Sequence, residues 1–194
     1  FEGNKLKKNL SPYSNYKLKL ERSLKKISSK NLKVIVLRYP NIVGSDPSGK
    51  LGEKNKFISR IVPFFYKNIL KNKKNLLFYD FKKKVYPQRS YMHVNDISKI
   101  NIEIINNFKR FNKNFYIFNV SNKKQYSNFQ VLKELSKLMN VNPKYEIKQI
   151  SKKESITQIY KSGDDISKYI DYKPKYLNLT KILKTNLKWF KKIY

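Results

Sequence analysis

Cysteine is absent from this 194-residue chain, which excludes both disulfides and thiolate metal sites. Histidine is almost absent, and His93 by itself cannot build a metal cluster. Long apolar runs are missing as well. The most apolar stretches, such as residues 61–65, are far too short to span a membrane. No signal-peptide pattern opens the chain, so a soluble cytoplasmic protein is expected. The first residue is Phe1 and no strand precedes the first helical segment, which reads as a fragment or a processed product.

Acidic residues are few, 13 against 44 basic ones, and the net charge is +31. Such a balance suggests phosphate neutralisation and a basic nucleic-acid-binding module. The kind of basic residue argues otherwise. Only five are arginines (Arg22, Arg38, Arg60, Arg89, Arg110) and the remaining 39 are lysines. Arginine is the residue suited to bidentate phosphate and base-edge contacts. The lysines come with abundant Asn, Ile and Tyr, as AT-rich codons would give, so the charge reads as solvated surface and no specific nucleic-acid partner is expected. Hydrophobic residues at 40% and aromatics at 14% allow a sizeable core and exclude global disorder.

What is present is an alternation of helical and strand patterns. Ser11 and Pro12 fit an N-cap and first helical position, and Tyr13, Lys17, Leu20 and Leu24 follow at helical spacing to about Ser29. Residues 33–37 (Lys-Val-Ile-Val-Leu) read as a buried parallel strand. Residues 38–52 read as a loop, 57–72 as a helix and 75–79 as a strand. After a polar loop over 82–88, Asp96 starts a helix through Ile100, Ile104, Ile105 and Phe108. Residues 114–120 read as a second buried strand, with Phe115, Tyr116 and Phe118 as core. Ser127-Asn-Phe-Gln130 forms a capping box opening a helix to about Met139. A strand over 145–150, a short helix over 165–170 and an amphipathic helix over 180–193 complete the pattern, which predicts an α/β fold with a parallel sheet.

Tyr13 and Lys17 are the pair with chemical potential. Four residues apart on a helix, a phenol and an ammonium share one face. Ionising an ordinary tyrosine at pH 7 costs roughly 4 kcal/mol, and an adjacent cation offsets part of it. The pair is therefore a candidate general base.

Four segments in order carry a resemblance: Ser-Pro-Tyr-Ser-Asn-Tyr-Lys (11–17), Leu-Arg-Tyr-Pro-Asn-Ile-Val-Gly (37–44), Asp-Pro-Ser-Gly-Lys-Leu-Gly-Glu (46–53) and Arg-Ser-Tyr-Met-His-Val-Asn-Asp (89–96). Together they resemble the C-terminal portion of the extended short-chain dehydrogenase/reductases, in their NAD-dependent epimerase/dehydratase branch. The resemblance continues through residues 116–120, 165–168 and 172–174. It implies an incomplete Rossmann-type parallel sheet (residues 1–44 and 93–121) with a smaller α+β substrate-binding lobe (45–92 and 122–194). It also implies an NAD cofactor, a nucleotide-sugar substrate and a homodimer in the complete protein, with dehydratase, decarboxylase or reductase chemistry as alternatives to epimerisation. An inactive remnant that only folds or dimerises is a further alternative.

By that resemblance Tyr13 is the catalytic base, and Lys17 holds the nicotinamide ribose while favouring the Tyr13 phenolate. Pro40 meets the nicotinamide end of the cofactor through its backbone. Asn41 contacts the nucleotide-sugar, Leu77, Phe78 and Tyr79 line the uracil pocket, and Arg89 pairs with the diphosphate through its guanidinium fork. His93 reads as structural. None of the five glycines (Gly3, Gly44, Gly49, Gly52, Gly163) forms the Gly-rich turn that cradles a dinucleotide pyrophosphate. The acidic residue for the adenine ribose and the family's upstream Ser or Thr are not found either. Where the family carries an arginine followed by Gly-Asp, this chain has Lys152-Lys153-Glu154-Ser155, so Lys152 is the substitute point charge for the diphosphate.

Overall fold

The computed structural model describes residues 12–54, 60–121, 124–150 and 166–194. Its contacts divide the chain into two compact units, residues Phe1–Tyr39, Ile100–Val120 and Ile159–Tyr172 in one, and Pro40–Lys99, Ser121–Gln158 and Lys173–Tyr194 in the other.

The first unit opens with helix α1 (Pro12–Ile27), in which no residue is buried. Strand β1 (Val34–Arg38) follows, and it pairs in parallel with a later strand, Phe115–Asn119, in the register Val34↔Phe115 to Arg38↔Asn119. The ladder is extended at both ends, by Val34 N–H to the Asn114 carbonyl (2.8 Å) and Val120 N–H to the Arg38 carbonyl (2.9 Å). A parallel pair needs a long crossover between its strands, and 76 residues separate these two. Every β1 residue is half-buried, short of the full burial that its apolar run predicts. Arg38 ties β1 to α1 through a bidentate ion pair with Glu21, at 2.8 and 2.5 Å. Phe111, Tyr116 and Phe118 are fully buried, and the Phe111 ring stacks on Tyr169 with centroids 4.7 Å apart.

The second unit holds two small sheets. Strand β2 (Asn41–Val43) runs parallel to β4 (Gln88–His93), and β4 is antiparallel to β6 (Gln125–Ser127). Strand β3 (Asn75–Tyr79) runs parallel to β7 (Tyr145–Gln149), the strand Phe115–Asn119 being β5 in chain order. Residues 38–52 are thus not wholly loop. Pairing with β4 straightens the short Asn-Ile-Val stretch, which carries too few residues for its own periodicity to announce a strand. For the same reason β6 has no advance signal.

Three helices cover these sheets. They are α2 (Ile61–Leu70), α4 (Asn128–Met139) and α5 (Leu179–Ile193). Helix α3 (Val94–Asn106) starts two residues before Asp96, directly out of β4. The Ser127 hydroxyl accepts from Gln130 N–H (3.1 Å) and the Gln130 side chain accepts from Ser127 N–H (2.8 Å), so α4 opens on the expected capping box. It ends at Asn140 in the left-handed region (φ 55°). The core of this unit brings Val62, Phe65 and Tyr66 of α2 against Leu132 and Leu135 of α4 and Ile182, Leu183 and Phe190 of α5. Full burial of each such side chain is worth roughly 1.5–3 kcal/mol. Residues 166–168 form a single 3-10 turn where a short helix was expected, and Ser11, Lys152 and Asp165 lie outside the described residues.

Candidate functional site

In the first unit the site is a single helical face. Tyr13 is 71% exposed, and the Lys17 ammonium lies 5.6 Å from the centre of its ring. The four-residue spacing has therefore brought phenol and cation together, and both face solvent because α1 buries none of its residues. Their donor set, one hydroxyl and one ammonium on one face, suits the vicinal hydroxyls of a ribose.

In the second unit Pro40 is buried and Asn41 is exposed at the start of β2. The Asn41 side chain hydrogen-bonds the Tyr91 hydroxyl across the β2–β4 pair. Burial pushes the Tyr91 phenol up to about 12, only partly opposed by the Arg89 charge and Asn41, so Tyr91 stays protonated and structural. Arg89 is half-buried on β4 and donates to the Gln88 carbonyl at 2.8 Å. Strand β3 spreads the other three predicted residues. Leu77 is fully buried in the core, Phe78 is 37% exposed, and Tyr79 makes edge contacts with Phe81 and Tyr86. Asn41 and Arg89 thus share one sheet, whereas Leu77, Phe78 and Tyr79 belong to the other.

Behind Asn41 the chain turns through Gly44, and here the structure shows a brace that the sequence motifs did not reveal. His93 at the end of β4 has no exposed surface. Its Nδ1 accepts from Asn95 N–H (3.0 Å), so Nε2 carries the proton and donates to Thr185 Oγ1 (2.9 Å). Thr185 Oγ1 also accepts from Ser45 N–H (3.1 Å) and donates to the Ile182 carbonyl (2.7 Å). Asn186 Oδ1 accepts from Gly44 N–H at 2.9 Å. The imidazole stacks on Tyr176 with centroids 3.7 Å apart, and Asp96 accepts from Lys175 N–H and Tyr176 N–H, both at 3.0 Å. Burial lowers the His93 pKa to about 4, against the pull of the Asp96 carboxylate.

Gly44 is required by this geometry. Its φ is +99°, and a Cβ there would lie 2.3 Å from His93 Cδ2. Farther along the loop, Trp189 Nε1–H donates to the Glu53 carbonyl and Lys188 donates to the Pro47 carbonyl, both at 2.9 Å. One face of α5 thereby fixes the backbone from Gly44 to Glu53. The available signal was the pair Thr185 and Asn186 among the apolar positions of an otherwise amphipathic helix, with Asn186 buried. Among the described residues no group of histidine or carboxylate side chains could hold a metal ion, and no helix is long and apolar enough to cross a membrane.

Similarity to known proteins fits this arrangement. UDP-glucose 4-epimerase of Lacticaseibacillus casei is 26% identical over 183 residues, covering 92% of this chain and 55% of that protein. The crystal structure of UDP-glucose 4-epimerase from Bifidobacterium longum, in complex with NAD+ and UDP, matches with a TM-score of 0.82 and 25% identity, over 98% of this chain and 58% of that one. UDP-glucuronic acid 4-epimerase from Bacillus cereus shares the fold at a TM-score of 0.74 and 18% identity, over 100% of this chain and 57% of that one. The chain thus spans a little over half the length of these relatives. The model of the NAD dependent epimerase/dehydratase family matches residues 2–121, well over half of the chain, and the chain belongs to that family, with the Rossmann-like α/β fold of its epimerases.

Proposed function

We propose that this chain carries the proton-transfer helix and the substrate lobe of an NAD-dependent nucleotide-sugar 4-epimerase acting on UDP-glucose and UDP-galactose, with a place in galactose metabolism in the cytoplasm. The observation that carries the reading is the Tyr13–Lys17 pair on an exposed helix face. Family membership and the epimerase relatives support it.

The residues present fit one end of the cofactor. Tyr13 and Lys17 would hold the nicotinamide ribose, and Pro40 would meet the nicotinamide through its backbone. The five glycines offer no turn for the pyrophosphate, so the 194 residues alone are proposed to bind NAD weakly and to be inactive. NAD, when bound, supplies hydride acceptance and return at the sugar C4. Tyr13 acts as the general base that takes the proton from the 4-hydroxyl, with the Lys17 ammonium 5.6 Å from the centre of its ring. When the alcohol re-forms on the opposite face, the same phenol returns the proton.

On the substrate side Asn41 contacts the nucleotide-sugar, and the α5 brace holds the backbone that follows it. Phe78 and Tyr79, with the backbone around Leu77, line the base pocket. Arg89 and Lys152 pair with the diphosphate. Residues 1–44 and 93–121 form the cofactor-side domain, and 45–92 and 122–194 form the substrate lobe. The complete protein is a homodimer, and any nucleic-acid affinity is electrostatic and falls steeply with salt.

The test is product identity in the whole protein. Incubated with UDP-glucose, it should yield UDP-galactose and approach equilibrium from either side. A dehydrated 4-keto sugar as the product, or no reaction with any UDP-hexose, would overturn the assignment.

A further inference from the structure

Strand β7 lies at the edge of its sheet, and all five of its residues are exposed. Asn75 N–H donates to the Lys144 carbonyl (2.8 Å) and Ile150 N–H to the Tyr79 carbonyl (2.9 Å). With the register Asn75↔Tyr145 to Tyr79↔Gln149, these bonds set the phase of the parallel ladder. The even-numbered residues of β7 turn their backbone groups toward β3. Tyr145, Ile147 and Gln149 therefore turn their N–H and C=O groups outward, and among the described residues no strand meets them. An open row of backbone donors and acceptors is a template for another strand.

We propose that β7 pairs antiparallel with β7 of a second copy of this chain, about a twofold axis through Ile147. The sequence of the strand, Tyr-Glu-Ile-Lys-Gln, complements itself in that register. Ile147 faces Ile147, and Tyr145 faces Gln149. These are the residues with outward backbone groups, so every facing pair of them exchanges two hydrogen bonds. Glu146 then faces Lys148 at the non-hydrogen-bonded positions, where side chains across the pair are closest.

Glu146 and Lys148 now bridge each other along one strand, 3.4 Å apart and 45% and 60% exposed, so both are free to re-pair across the axis. A parallel in-register pairing would set Glu146 against Glu146 and Lys148 against Lys148, which the charges disfavour. Ile147, 41% exposed, gains an apolar partner on the opposite face from the charges. Such an isologous contact closes on itself and limits the assembly to pairs at this edge. The inference is independent of the catalytic reading.

Sedimentation equilibrium of the 194-residue chain at physiological ionic strength tests it, since salt there screens the repulsion of the +31 charge beyond about 8 Å. One strand pair makes a small interface, so the concentration series should reach about 0.5 mM. Glu146→Lys and Lys148→Glu should each weaken association about tenfold, because each turns two attractive cross-strand pairs repulsive. An equimolar mixture of the two variants should regain the wild-type affinity, as should the double variant carrying both changes. A wild-type chain that stays monomeric throughout would overturn the pairing. So would a dimer that neither reversal weakens, or a mixture that associates no better than its components.

Discussion

Thr185 is the acceptor on which the loop behind Asn41 depends, and replacing it by valine isolates that role. Valine keeps the shape and puts a methyl group where the hydroxyl was. Two donors then lose their acceptor, His93 Nε2–H at 2.9 Å and Ser45 N–H at 3.1 Å. Neither residue can turn to water, since His93 has no exposed surface and Ser45 only 1%. The ring cannot relieve the loss by moving its proton, because Nδ1 is already used as the acceptor for Asn95 N–H. An unsatisfied buried donor costs about 1–3 kcal/mol. Thr185 itself is half-buried, which places the total for the two donors at the low end of their range, about 2–3 kcal/mol. Urea unfolding of Thr185→Val against wild type measures this as a shift of midpoint at constant slope. Thr185→Ser keeps the hydroxyl and loses one methyl, a cost of about 1 kcal/mol. The reasoning fails if Thr185→Val lies within 0.5 kcal/mol of wild type, or if serine destabilises as much as valine.

Gly44→Ala should cost about 2–4 kcal/mol, from the strain of a positive φ together with overpacking against His93. Gly49→Ala, with φ +70° but only the flexible Lys188 side chain nearby, should lose about 1 kcal/mol, and equal losses in thermal unfolding would contradict the steric account. His93 makes stability pH-dependent: its pKa is about 4 in the fold against 6.5 as the ordinary value, so between these the unfolded chain binds more protons and stability rises with pH. The contribution is fully present above 6.5, is lost as the pH falls toward 4 and amounts to about 3 kcal/mol. The stability difference between wild type and His93→Gln should accordingly shrink as the pH falls from 7 to 4, and a constant difference would refute it.

Much of the fold was legible because it is encoded locally. The capping box at Ser127 and Gln130 marks the start of α4 by chemistry confined to four residues, and the apolar runs of β1 and β5 mark the two strands that pair. Strands β2 and β6 were not legible, because three residues acquire extended structure only from β4 between them. Strand β7 was placed correctly by its pattern, yet that pattern is silent about its position at the sheet edge. The Tyr13–Lys17 pair was legible because four-residue spacing fixes adjacency on a helix. The Thr185–Asn186 brace was not, since it joins residues about 140 positions apart and depends on how α5 lies over the Gly44 turn.

Turnover of the Tyr13→Phe variant tests the central claim most directly. In the whole protein, removing one phenol oxygen should lower UDP-glucose to UDP-galactose interconversion by about 10²–10⁴ in rate, the usual worth of a general base, while NAD affinity falls far less because Lys17 still holds the ribose. Retention of half or more of the activity would remove Tyr13 from the chemistry and with it the reading of this chain as an epimerase's proton-transfer half.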